Sequence, residues 1–229
     1  SLVIIVLLAV LSFGAPWVTP QNPYDMAALD WMDAFLRPGT EGSGGYVHIL
    51  GTDNAGRDML SAILYGLRTS FVIGLSAGAL ALLVGITVGL TAAYFGGRLE
   101  SLLMRIVDLQ LSMPAILLAL VLVAMLGQGV AQIILALVVA QYAYFARTAH
   151  GAATVERGKD YIEAARSTPL PARRVLFRHL LPNVLPPLIV VATVQVASAI
   201  ALEATLSFLG VGLPLTEPSL GSLISNGFK

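Results

Sequence analysis

Four long apolar runs divide the chain: roughly Leu67 to Phe95, Ile106 to Leu126, Val130 to Phe145 with its flanks, and Val184 to Leu209. A helix needs about 20 mostly apolar residues to cross a hydrocarbon core, and these runs carry few charges, so they predict four membrane-spanning helices. A fifth run, Leu2 to Ala15, is shorter. A secretory leader would open on basic residues, yet no Lys or Arg precedes Arg37, so this run reads as a clipped first span. Pro114 stands inside the second run, where a proline can break a span.

The polar segments between the runs set the topology. Residues 147–182 hold Arg147, Arg157, Lys159, Arg166, Arg173, Arg174 and Arg178, whereas residues 16–58 hold only Arg37 and Arg57 among many acids. Basic residues are retained on the cytoplasmic side, which places 147–182 inside and 16–58 outside. The expected organisation is a first transmembrane helix over 1–15 and an extracytoplasmic loop with an interfacial helix over 16–66. A core over 67–209 contains the cytoplasmic loop 147–182, and an extracytoplasmic segment follows over 210–229. Composition agrees: 57% hydrophobic and 11% charged residues, with mean hydropathy +0.83, describe a bilayer protein, since soluble domains are about a quarter charged. Zero net charge gives no sign of a nucleic-acid partner, and the lack of cysteine excludes disulfides, thiolate catalysis and Cys-based metal sites.

Gly74, Gly78, Gly85 and Gly89, spaced four, seven and four apart, share one helical face. Small residues there let backbones approach closely, either within the chain's own bundle or against a second membrane subunit. Before that run, Thr52, Asp53 or Asn54 is placed to cap an interfacial helix whose apolar stripe is Met59, Leu60, Ile63, Leu64 and Leu67. Asp53, Arg57 and Asp58 can alternatively meet a ligand or soluble partner. One histidine with scattered carboxylates does not make a metal site. In the cytoplasmic loop, Asp160 to Thr168 predicts a short helix ended by Pro169 and Pro171, and Ala172 to Leu181 a second helix before Pro182. Glu163 can pair there with Arg166, Arg174 or Arg178.

Glu163-Ala164-Ala165, a turn six residues later and Leu181-Pro182 resemble the EAA loop of ATP-binding-cassette importer permeases. The fuller pattern is His48 to Asp58 (HILGTDNAGRD), Tyr94-Phe95-Gly96-Gly97, Arg105-Ile106-Val107-Asp108, Arg178 to Asn183 (RHLLPN) and Glu203 to Gly210 (EATLSFLG). In order and spacing, from about His48 to Gly221, it is similar to the second permease subunit of the dipeptide, oligopeptide and nickel branch. The resemblance implies an all-α, polytopic type I importer transmembrane domain in the bacterial inner membrane, with about five spans here and a sixth in the full family. It implies a homologous permease partner, two ATPase subunits beneath, an extracytoplasmic substrate-binding protein, and surrounding lipid. Glu163, Ala164, Ala165 and the turn at Pro169 would seat on an ATPase, supported by Arg178, His179, Leu181, Pro182 and Asn183. Gly51, Thr52, Asp53, Arg57 and Asp58 form the family's extracytoplasmic motif. The family usually has glycine in the turn, and Pro169 departs from it because proline cannot take positive φ.

The chain itself is not expected to be an enzyme. A P-loop ends in Gly-Lys-Ser/Thr, but Lys159 precedes Asp160 and Lys229 is terminal, so ATP and magnesium would belong to the partner ATPases and no cofactor to this chain. His150 and His179 read as surface or helix-terminal groups. Two acids near or in spans remain. Asp108 lies one turn from Arg105, a local ion pair, while Glu203 can line the pathway or a subunit interface, since intramembrane carboxylates are functional candidates. The rival class is an ion-coupled secondary transporter using Asp108 and Glu203; a structural membrane subunit is a third.

Overall fold

The computed structural model describes residues 2–25, 29–162, 171–214 and 216–227. In chain order the helices are α1 (Leu2–Phe13), α2 (Ala15–Val18), α3 (Met59–Phe95), α4 (Gly97–Leu111), α5 (Ala115–Leu126), α6 (Val130–Arg157), α7 (Ala172–Phe208) and α8 (Leu220–Gly227). A two-residue antiparallel ladder, β1 (Thr40–Glu41) with β2 (Val47–His48), pairs Thr40 with His48. Helices α3, α6 and α7 are each long and apolar enough to cross a membrane.

Three elements differ from expectation. Residues 59–66 are not a separate interfacial helix, because α3 runs unbroken for 37 residues, about 55 Å at 1.5 Å per residue. Its start is capped by Asp58, not by Thr52, Asp53 or Asn54: the Asp58 Oδ2 accepts the Ser61 N–H at 2.7 Å and the Ser61 hydroxyl at 2.5 Å. The predicted span Ile106 to Leu126 is two helices, α4 and α5, bent by 92° at the break before Ala115. Pro114 has no N–H to continue α4, and its carbonyl instead accepts the Leu117 and Leu118 amides that open α5. The helix restarting at Ala172 does not stop before Pro182 but continues to Phe208, with a π-type stretch over Val175–Leu180. Pro182 has no amide for the Arg178 carbonyl, and the widened turn just before it absorbs that loss.

Contacts divide the chain into two compact units, one of Ser1–Ile73, Gly127–Ile133 and Ile200–Lys229, the other of Gly74–Leu126 and Ile134–Ala199. The second unit is built on small residues. Ala81, Ala93, Ala149 and Ala153 are buried in one cluster with Ile86, Leu90, Phe145, Val184 and Leu188. Bulky residues such as Leu75, Leu83, Val121, Leu135 and Ile189 remain more than half exposed. Large apolar residues outside and alanine inside is the pattern expected where lipid is the solvent and helices associate by close packing. Glycine continues it. A Cβ added at Gly85 would lie 2.4 Å from the Phe145 Cβ and 2.7 Å from the Tyr142 carbonyl oxygen, and one at Gly89 would lie 2.4 Å from the Ala146 carbonyl oxygen. At Gly78 it would lie 2.7 Å from Val196 Cγ2.

Candidate functional site

Glu163, Ala164, Ala165 and Pro169 lie outside the described residues, so the structure defines the frame on either side of the loop. On one side, Asp160 to Ile162 are helical. Ile162 and Leu180, each 1% exposed, are buried in the same apolar cluster as Phe145 and Val184. Polar contacts close the frame: the Tyr161 hydroxyl donates to Glu156 Oε2 at 2.7 Å, and Asn183 Nδ2 donates to the Tyr161 oxygen at 3.0 Å and to the His179 carbonyl at 2.8 Å. Partial burial, helped by the Glu156 carboxylate, pushes the Tyr161 phenol up to about 12. Of the sequence-predicted residues, Arg178, His179, Leu181, Pro182 and Asn183 all lie at the start of α7, and Asn183 makes the link across to residue 161.

Helix α4 is tied to α6 by a histidine–carboxylate contact and an ion pair. Glu100 Oε1 meets His150 Nε2 at 2.6 Å, and Asp108 pairs with Arg147, not with Arg105 as helical spacing suggested. Arg157 Nη1 donates to the Ala93 carbonyl at 2.7 Å, fixing the end of α6 against the end of α3. These partners stand about 40 to 60 residues apart in the chain, and no local spacing signals them.

The HILGTDNAGRD motif is a knot of internal bonds. His48, fully buried, places Nδ1 3.0 Å from Asp58 Oδ1. The Thr52 hydroxyl donates to the Asp33 carbonyl at 2.5 Å and accepts the Leu36 amide at 2.8 Å, while Asp53 Oδ1 accepts the Ala55 and Arg57 amides at 2.8 and 2.9 Å. Arg57 stands 3.9 Å from Asp53 Oδ2, and its guanidinium lies 5.3 Å from the Tyr24 ring centroid. Burial pushes the Tyr24 phenol up to about 12, against the opposing charge of Arg57. Gly51 sits at φ +76, where a Cβ would meet the Leu36 carbonyl oxygen at 2.4 Å, so glycine is required twice over at that position. No group of metal-ligating side chains exists among the described residues.

Gly74, Gly78, Gly85 and Gly89 are all buried. Glu203 is 0% exposed; its Oε1 accepts the Ser207 and Ser219 hydroxyls at 2.9 and 3.0 Å, and its Oε2 accepts that of Ser70 at 3.2 Å.

Residues 81–228 match the profile of a family described as binding-protein-dependent transport system inner membrane component. The chain belongs to this permease family. A Brucella suis biovar 1 relative, provisionally named a peptide transport system permease protein, is 42% identical over 226 residues, 99% of this chain and 72% of the relative. The dipeptide transport system permease protein DppC of Escherichia coli K12 is 39% identical, covering 99% of this chain and 74% of that protein. The di/tripeptide transport system permease protein DppC of Pseudomonas aeruginosa is 35% identical over the same shares. Among solved structures, the inward-facing MetNI methionine ABC transporter aligns with a TM-score of 0.62 at 22% identity, over 72% of this chain and 79% of that one, a likeness of fold. The permease is thus a helical, multi-pass inner-membrane component of the ABC importer kind, and its relatives are permease subunits rather than ATPases.

Proposed function

We propose that this permease forms the translocation path of an ATP-driven importer of peptides or related small solutes, together with a homologous permease, above two ATPase subunits and below an extracytoplasmic binding protein. Relatives named for dipeptide and di/tripeptide transport support the substrate class. Residues 147–182 face the cytoplasm, and Glu163, Ala164 and Ala165 with the turn at Pro169 seat on an ATPase. The observation that carries this reading is the frame around the loop: Ile162 immediately before Glu163 is buried in one cluster with Leu180, and Tyr161 is bonded to Asn183. Flanking residues fixed in a packed core give a displacement at the loop a route into the spans, as coupling between nucleotide-driven closure and alternating access demands. Residues Arg178 to Asn183 hold that frame. Gly51, Thr52, Asp53, Arg57 and Asp58 hold the outer segment in shape for the delivering protein.

The test is to purify the whole assembly, identify its binding protein and measure uptake in vesicles. ATPase subunits should stay bound, and uptake of a di- or oligopeptide should require ATP. Uptake driven by a proton gradient with no ATPase present would instead establish the ion-coupled reading, which family membership does not favour.

A further inference from the structure

Arg68 is the only charged residue in the whole of α3. A charge in an apolar span is costly to insert, and residues of this kind face the bundle interior or a polar cavity and mark solute paths. Arg68 opens the apolar run Leu67 to Phe95, about 14 Å along the helix from Met59 at 1.5 Å per residue. It is exposed and makes no ion pair among the described residues. The buried acids of the same unit are committed elsewhere: Asp58 to His48 and Ser61, Glu203 to the hydroxyls of Ser70, Ser207 and Ser219.

The surroundings of Arg68 are an independent observation. Tyr65, Arg68, Thr69 and Val72 stand at i, i+3, i+4 and i+7, which places them on one face of α3. That face lines a cavity of about 180 Å³ together with Val130, the first residue of α6, and Pro218, just before α8. All of these residues belong to the first unit. The Thr69 hydroxyl donates to the Tyr65 carbonyl at 3.3 Å, so the cavity's donors are the Arg68 guanidinium and the Tyr65 phenol, against apolar walls from Val72, Val130 and Pro218. Val130 and Pro218 set the guanidinium in a protein cavity rather than on an open lipid-facing surface.

We propose that Arg68 is a solute-binding residue: with Tyr65 it takes the carboxylate end of the transported peptide at the outer side of the path, while Val72, Val130 and Pro218 receive the adjoining side chain. A guanidinium with no acid of its own, beside apolar walls, is the complement of a carboxylate on an apolar body, and its planar fork holds both carboxylate oxygens at once. The inference rests on the importer reading, which supplies the peptide and the outer side. It adds the chemical group that the permease itself reads.

Two measurements on the assembled transporter test it. In vesicles, a dipeptide and its C-terminal amide are each supplied at a concentration that saturates the binding protein, and the readout is the ratio of their uptake rates. The parent should carry the free carboxylate at least about tenfold faster, because the amide leaves the guanidinium without its charged partner. In Arg68→Gln the ratio should fall to about one, with Arg68→Lys, which keeps the charge and loses the fork, in between. A ratio unchanged in Arg68→Gln overturns the proposal, whatever the loss in total uptake; that is the result expected of a guanidinium that anchors a lipid phosphate or an acid of the partner permease. The second measurement needs no variant. A dipeptide with a photoreactive side chain should label the stretch Tyr65 to Val72, or Val130, in the parent, and its amide should do so about tenfold less. Labelling confined to other stretches, or equal labelling by the amide, overturns the site. Failure of the importer reading is a different result, a parent with no ATP-dependent uptake of either peptide.

Discussion

With Glu163 replaced by lysine, the permease inserts and assembles in the membrane, yet ATP hydrolysis no longer drives uptake. Residue 163 follows Ile162, whose side chain is anchored in the apolar cluster with Leu180, and the two alanines after it leave the glutamate as the charged feature of the motif. Insertion is decided by the apolar runs, which the change does not touch. Docking is a different matter, since losing one partner of a desolvated polar contact costs about 2 kcal/mol or more, which is about 30-fold in affinity. Uptake in reconstituted vesicles should therefore fall at least about tenfold while some hydrolysis by the ATPases persists. Uptake at the parent rate with Glu163→Lys contradicts the coupling role.

Gly85→Leu acts on the fold itself. The new side chain would start 2.4 Å from the Phe145 Cβ, 2.7 Å from the Tyr142 oxygen and 2.8 Å from the Ala146 nitrogen. Two of these atoms are backbone, so no rotamer change relieves the clash and α6 has to move away from α3. Overpacking of a tight core costs about 1–3 kcal/mol, and a branched side chain aimed at backbone belongs at the upper end. The variant should yield little monodisperse protein, and what remains should unfold at lower temperature. The matched control Leu83→Ala, at a position 62% exposed, should behave as the parent. Normal assembly of Gly85→Leu, seen by size-exclusion chromatography and crosslinking to the partner subunit, contradicts this account of the glycine face.

The long spans were legible because hydropathy is a sum over many residues, and no tertiary detail reverses it. Prolines were less so. Pro114 ends a helix, whereas Pro186 and Pro187 lie inside α7, and nothing in the flanking residues distinguishes the two outcomes. Neighbouring packing decides whether the freed carbonyls are accommodated. The extension of α3 back to Met59 was hidden because an amphipathic first turn reads alike whether the helix lies on the membrane or leads into it. At the candidate site, RHLLPN marks a stretch that opens α7, but the Tyr161–Asn183 bond and the pairing of Asp108 with Arg147 join residues that only the folded chain brings together. Glu203 shows the same limit. Its isolation in an apolar run singled it out, while its three serine partners carry no local signature.

The account stands on residue 163 being on the cytoplasmic side. Glu163→Cys would be the sole thiol of this chain, and a membrane-impermeant maleimide can be applied to vesicles of either orientation. Labelling in inside-out vesicles, and none in right-side-out ones, is the predicted result; labelling from the outer face of intact, right-side-out vesicles would contradict it.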